Sequence, residues 1–145
     1  MSYIYRNATN EDKGDIYEVY RAVMKGYISE IWGWNEEWQK NDFSSHYKAE
    51  RITLVYKFNE LVGYSQVEGK GGLLFMRMLA ILPDHQRKGI GKRLLESFVE
   101  NGNKFSKGLS LEVFKINAQA REFYEKHGFI VVGETENSYI MGSNA

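Results

Sequence analysis

Apolar and polar residues follow two periods along this chain, near two and near 3.6, and the changes between them mark its elements. Residues 3–7 read as a short first strand. Ile16, Val19, Tyr20, Val23 and Tyr27 recur at helical spacing, so a first helix is expected from about 11 to 30. Thr9 is its predicted N-cap, and Asp12 stands where a capping box would have Glu or Gln. A second helix is expected from Asn35, a good cap, to about Tyr47. Residues 51–58, rich in Ile, Thr, Val and Tyr, read as a strand. Asn59-Glu60 is the predicted two-residue hairpin turn and 61–68 the returning strand. A glycine-rich flexible turn at 69–72 and the run 73–82 complete an antiparallel meander.

That run is apolar apart from Arg77 and fits a strand buried on both faces. Pro83 ends it, because proline cannot continue a helix and biases Leu82 towards extended geometry. Gly89 and Gly91 follow, then Ile90, Leu94, Leu95, Phe98 and Val99 at helical spacing to about 102. The pattern predicts strand, glycine-rich turn, helix. Residues 109–114 read as a strand, 118–127 as a helix, 129–134 as a strand and 139–141 as a last edge strand. The order βααβββαβαβ(β) is that of an α+β fold, and no repeat or linker divides it, so 1–145 is expected to be one domain.

Composition narrows the function. The chain is 43% hydrophobic and 14% aromatic, which places it among folded proteins. Nineteen basic residues balance nineteen acidic ones without a long basic run, which argues against a nucleic-acid partner. The absence of cysteine excludes disulfides, thiolate metal sites and a cysteine nucleophile, and fits a cytoplasmic location. The N-terminus has no apolar signal region and no apolar run reaches spanning length, so no membrane partner is expected. His46, His85 and His127 have no metal-ligand spacing, so no metal is expected.

The strand–turn–helix at 73–102 is a candidate anion site. A helix start has unpaired N–H groups and the positive end of the dipole. Glycines let phosphates approach the main chain, and Arg87, Lys88, Lys92 and Arg93 add charge. The alternative is an ordinary connection with glycine for geometry and basic residues for solvation. The turn is not GxGxxG, because position 94 is leucine. Nor is it a P-loop, because Arg93 stands where Ser or Thr is needed.

Gln86-Arg87-Lys88-Gly89-Ile90-Gly91 resembles the Q/R-x-x-G-x-G/A turn of the GCN5-related N-acetyltransferases, the GNAT superfamily. The preceding Leu79-Ala80-Ile81-Leu82-Pro83 looks like the strand end that leads into that turn. At the expected distance, the segment from Asn117 to Phe129 is similar to the family's N-x-x-A-x-x-F/L-Y-x-x-x-G-F. The resemblance is good over about 50–134. It implies a mixed, mostly antiparallel sheet of six to seven strands flanked by about four helices. It also implies acetyl-CoA as acyl donor and a primary amine of a small-molecule or peptide acceptor, attacking directly. Pyrophosphate would lie on Gln86, Arg87, Lys88, Gly89, Ile90, Gly91 and Lys92. Pantetheine would pair with the main chain near Leu79 and Ile81, with the Ile81 N–H polarising the thioester oxygen. Asn117 and Phe123 would contact the cofactor, and His85, beside the turn, is a further candidate.

Tyr124 matches the tyrosine that commonly sits beside the thioester sulfur in this family. A phenol with a pKa of about 10 is protonated at neutral pH and can donate to a thiolate. As one tyrosine among ten, it could also simply pack in the core. The base is open: Glu30, Glu36 and Glu37 are candidates, as are Glu68 and Glu112. Arg77 cannot be a base; it either neutralises an acceptor carboxylate or pairs with Glu68 or Glu112. Trp32, Trp34 and Trp38 read either as core filling of a helical hairpin or as an aromatic wall over a substrate channel, with Glu36 or Glu37 facing in. A similar G-W-x-E-x-W segment in some bacterial relatives points to the acceptor side. The aromatic content leaves room for a homodimer interface. The same resemblance is compatible with a non-catalytic acetyl-CoA sensor.

Overall fold

The computed structural model describes residues 2–102 and 108–143. Its strands are β1 (Ile4–Asn7), β2 (Ile52–Lys57), β3 (Glu60–Lys70), β4 (Leu73–Ile81), β5 (Leu109–Phe114), β6 (Phe129–Glu134) and β7 (Ser138–Ser143). The helices are α1 (Lys13–Ile31), α2 (Glu36–His46), α3 (Ile90–Gly102) and α4 (Ala118–Lys126). Seven strands hydrogen-bond in the order β1-β2-β3-β4-β5-β7-β6, and the β4–β5 ladder is parallel. The α+β class and its mixed sheet are as expected. The chain forms two compact units, residues 1–66 with 78–94, and 67–77 with 95–145.

In the first unit the apolar runs of β2, β3 and late β4 cover two faces. Leu54, Leu61, Tyr64 and Ala80 pack with Ile16 and Val19 of α1, while Phe43 of α2 adds to that cluster. On the opposite side Val55, Val62 and Ile81 pack with Ile90 and Leu94 of α3. Alternation puts Leu54 and Val55 on opposite faces. Leu61 and Tyr64 share a face although they are three residues apart. The β2–β3 register explains this: Val55 pairs with Gly63 and Tyr56 with Leu61, so Val62 is an extra, bulged residue.

Ahead of α1, the Asp12 carboxylate accepts from the Thr9 amide at 2.8 Å and the Thr9 hydroxyl at 3.1 Å. It also takes two bonds from the Arg6 guanidinium, at 2.9 and 3.0 Å. The near-match to a capping box is therefore realised with aspartate. The β2–β3 turn lies one residue earlier than expected, at Phe58-Asn59, with Lys57 paired to Glu60. Phe58 takes the left-handed conformation (φ 56°), which is why the pattern misled.

In the second unit β5 pairs with β7 and β7 with β6, all antiparallel. Residues 139–141 are thus not an edge strand: β7 runs from 138 to 143 and is interior, and β6 is the edge. The long connection from β5 through α4 lets β6 take the outer place and turn back. Leu109, Leu111, Val113, Phe129 and Met141 are buried, and Phe98 of α3 stacks on Phe129 at 6.3 Å. The β4–β5 ladder has three pairs, Leu74–Met76 against Leu109–Leu111.

Gly63 is held by close approach. A Cβ there would stand 2.7 Å from Ile81 Cδ1 and 2.9 Å from the Ala80 carbonyl oxygen. Because one neighbour is main chain, Gly63→Ala is expected to destabilise the protein by about 1–3 kcal/mol, read from urea unfolding. An unchanged midpoint would show that β3 and β4 have slack at this point.

Candidate active site

In the first unit the end of β4 is tied down group by group. The Leu82 amide donates to the carbonyl of bulged Val62 at 2.9 Å, so the strand is held one residue past its last pair. Pro83–His85 forms a single 3₁₀ turn, closed by His85 N–H to the Leu82 carbonyl at 2.9 Å. Gln86 turns its side-chain amide back to the Ile81 carbonyl at 2.9 Å. Its side chain therefore braces the turn, and its main-chain amide donates to the Pro83 carbonyl at 3.2 Å. Arg87 (φ 62°) and Gly89 (φ 86°) are left-handed on either side of Lys88. Such alternation makes consecutive N–H groups converge into an anion-binding concavity. Arg87 is not glycine, and its conformation costs about 1–3 kcal/mol. The Arg93 amide to the Gly89 carbonyl, at 3.1 Å, closes the first turn of α3. The amides of Ile90, Gly91 and Lys92 precede any intrahelical partner. The predicted turn residues are thus gathered in one stretch: 86–89 exposed on the turn, Ile90 buried at the start of α3, and Gly91 and Lys92 in its first turn.

The α1–α2 connection holds a polar cluster that the sequence pattern did not reveal. Asn35 caps α2 by accepting from the Trp38 amide at 2.9 Å, as expected. Glu36, the next residue, accepts from the Tyr17 hydroxyl, from Arg21 Nε at 2.7 Å and from Trp34 Nε1 at 3.2 Å. These donors, Tyr17 first, hold its carboxyl at about 2, far below the usual carboxylate range. Burial, then the hydrogen bond to Glu36, pushes the Tyr17 phenol up. A carboxylate so well satisfied is a weak proton acceptor. Nearby, Tyr20 donates to buried Gln39 at 3.0 Å, and Trp34 leans on Tyr20 with ring centroids 6.2 Å apart. Tyr17 and Arg21, one helical turn apart on α1, were the missed partners of Glu36; their spacing was the only signal.

Core filling by the tryptophans does not hold. Trp32 is 64% and Trp38 59% exposed, and Trp34 is half-buried. Gly33 ends α1 with its amide on the Ile28 and Ser29 carbonyls, which leaves Trp32 beyond the helix's packed face. Glu30 and Glu37 are exposed.

In the second unit Asn117 caps α4, accepting from the Ala120 amide at 3.1 Å. About two turns on, Tyr124 is 7% exposed, its ring edge-on to Phe123 at 5.4 Å and Phe129 at 6.2 Å. Burial pushes its phenol up, so it stays protonated. Among the described residues its hydroxyl has no hydrogen-bond partner. His127 donates through Nδ1 to the Phe123 carbonyl at 2.8 Å, and Gly128 follows the helix end. Arg77 Nε binds Glu68 at 2.9 Å, and Glu112 is exposed. Of the two alternatives for Arg77, pairing with Glu68 is present. Among the described residues no three His, Cys, Asp or Glu groups gather as metal ligands, and no helix is long and apolar enough to cross a membrane.

A glycine turn at a helix start, braced from β4, and a capped helix bearing a buried tyrosine define the class. The acetyltransferase (GNAT) domain family matches residues 48–131, and the chain belongs to this family of N-acetyltransferases. Streptothricin acetyltransferase A of Bacillus subtilis (strain 168) is 27% identical over 130 residues, 79% of this chain and 75% of that protein. Peptidyl-lysine N-acetyltransferase YjaB of Salmonella typhimurium (strain LT2) is 33% identical over 119 residues, 73% and 77% of the two chains. Among solved structures, the PaiA N-acetyltransferase of Thermoplasma acidophilum in complex with coenzyme A superposes with a TM-score of 0.79. It is 22% identical, with both chains fully covered. The apo form of YjaB from Escherichia coli gives 0.75 at 19% identity, covering 100% and 99%.

The low Glu36 value carries a pH signature. Its folded pKa lies below the ordinary 4.5, so its contribution is present above that value and is lost as pH falls towards about 2. Glu36→Gln is expected to lower the melting temperature at neutral pH. The gap from the unmodified protein should close between about pH 5 and 2, followed by calorimetry. A gap independent of pH would show that the ion pair with Arg21 contributes nothing.

Proposed function

We propose that this chain transfers the acetyl group of acetyl-CoA to a primary amine of a small-molecule or peptide acceptor by direct attack. The observation that carries the reading is Tyr124: a buried phenol, protonated, with no partner for its hydroxyl among the described residues, in the position of the family's tyrosine. Coenzyme A in the Thermoplasma structure and the family membership support acetyl-CoA as donor. The glycine turn, with the amides of Ile90, Gly91 and Lys92 ahead of any intrahelical partner, suits the pyrophosphate. The three-pair ladder of nine-residue β4 against β5 supports pantetheine pairing near Leu79 and Ile81, and Ile81 N–H as the donor to the thioester oxygen. Asn117, the cap of α4, and Phe123, next to Tyr124, fit the role of cofactor contacts.

The amine nitrogen would form a bond to the thioester carbon, and the C–S bond would break with its electron pair on sulfur. Tyr124 would give its proton to that thiolate. The proton released by the amine needs another acceptor. Glu36 suits this poorly, because three donors already hold its carboxylate; its part is to fix Trp34 and the start of α2. Glu37, exposed on the first turn of α2, remains the candidate base. Glu30, Trp32 and Trp34 are the acceptor-side candidates, and Arg77, already on Glu68, fits a structural role better. One relative is named for streptothricin and the other for peptidyl lysine, which supports an amine acceptor without choosing between a small molecule and a peptide.

Thiol release from acetyl-CoA against a panel of amines and lysine peptides tests this. Turnover with one acceptor class is expected, and Tyr124→Phe should lower kcat by about 10²–10⁴-fold with a nearly unchanged KM for acetyl-CoA. Tight acetyl-CoA binding without turnover across the panel would instead identify a sensor.

A further inference from the structure

His85 lies between Pro83 and Gln86, on the link from β4 to the glycine turn, and both of its ring nitrogens face protein groups. Nδ1 is 3.2 Å from the Tyr3 hydroxyl, and the two rings meet edge to face at 5.9 Å. Nε2 is 3.4 Å from Glu60 Oε1, and the His85 side chain is only 17% exposed. Nδ1 is within hydrogen-bond distance of the phenol, while Nε2 stands beside the carboxylate at the longer distance of an ion-pair contact. Lys57 places its ammonium over the Tyr3 ring at 5.1 Å, on the strand before the β2–β3 turn. Three segments therefore converge on one imidazole: the lead into β1, the first residue of β3 and the link to the turn. Both nitrogens face protein groups, which favours a supporting part for His85 over a direct cofactor contact.

We propose that His85 is a positioning residue for acetyl-CoA, acting through the main chain of residues 86–91. This rests on the reading of that turn as the pyrophosphate site. The turn holds a non-glycine residue, Arg87, in the left-handed region, and such a conformation persists only where its surroundings over-determine it. The polar braces on the link include Leu82 to Val62, Gln86 to Ile81, and His85 to Tyr3 and Glu60. Of these, the bond to Tyr3 reaches outside β3 and β4, towards β1, where Arg93 also lies over the Tyr5 ring at 4.1 Å. Without the His85 contacts the turn amides would have to be ordered on binding, which weakens affinity while leaving the chemical step alone.

The test compares His85→Ala, Tyr3→Phe and their combination with Gly89→Ala, which disturbs the turn itself. Binding of acetyl-CoA and of CoA is measured by calorimetry, and steady-state kinetics separate KM from kcat. His85→Ala is expected to weaken CoA binding about tenfold and raise the acetyl-CoA KM alike, with kcat within about twofold, in line with the loss of a hydrogen bond and an ion-pair contact. Tyr3→Phe should give a smaller change in the same direction, and the double variant should match His85→Ala. His85→Gln, able to keep one of the two contacts, should recover part of the affinity. If Gly89→Ala weakens binding while His85→Ala and Tyr3→Phe do not, the turn reading stands and the role of His85 is refuted. A fall in kcat at unchanged KM also refutes it. If Gly89→Ala leaves binding intact, both readings fall together. Should His85→Ala not fold, Tyr3→Phe, which removes one oxygen, decides by itself.

Discussion

An interior strand carries hydrogen-bonding groups on both edges, and each must find a partner along its whole length. For β4 those partners differ between the two edges. On the β5 edge its first residues pair for three positions, and on the β3 edge its end is held at the bulge, where the Val62 carbonyl receives the Leu82 amide. Gln86 then takes the Ile81 carbonyl. This closing of accounts at the end of β4 sets where the chain leaves the sheet, and so where α3 begins. The amides of the glycine turn owe their direction to it. A one-residue change in the β3 bulge would alter both the face on which Leu61 packs and the carbonyl that holds Leu82.

The two parts proposed for the chemistry are built by different means. The turn at 86–91 would act through main-chain geometry, which leaves a side chain such as Gln86 to brace it. Tyr124 would act through its side chain, whose platform is set by Asn117, the cap of its helix, and by the Phe123 and Phe129 rings against it. Burial there keeps the phenol protonated, which suits a donor. On the α1–α2 connection the reverse holds for Glu36. Three donors stabilise its charged form, and the same bonds that make it a good anchor make it a weak base.

Much of the architecture was legible along the chain because it depends on local pattern. Helical spacing located α1 and α3, Asn35 announced the cap of α2, and Pro83 with Gly89 announced the turn. The departures have long-range causes. The β2–β3 turn moved by one residue because Phe58 accepts a left-handed conformation that its type disfavours. Residues 138–143 became an interior strand because β6 took the edge, a choice of strand order that no local pattern encodes. Tryptophan, large and apolar, was a reasonable core residue, yet Trp32 and Trp38 fall on exposed positions around the end of α1 and the start of α2.

What the sequence by itself determined is therefore the set of elements, the family and the residues of its two motifs, because each rests on neighbours within about a helical turn. The tertiary structure alone decided which side chains are already engaged. Glu36 meets Tyr17 and Arg21, His85 meets Tyr3 and Glu60, and Arg77 meets Glu68, across separations that chain order does not reveal. The physical reason is that a polar group's proton affinity and freedom depend on the partners that folding brings within hydrogen-bond distance, and those partners come from other elements.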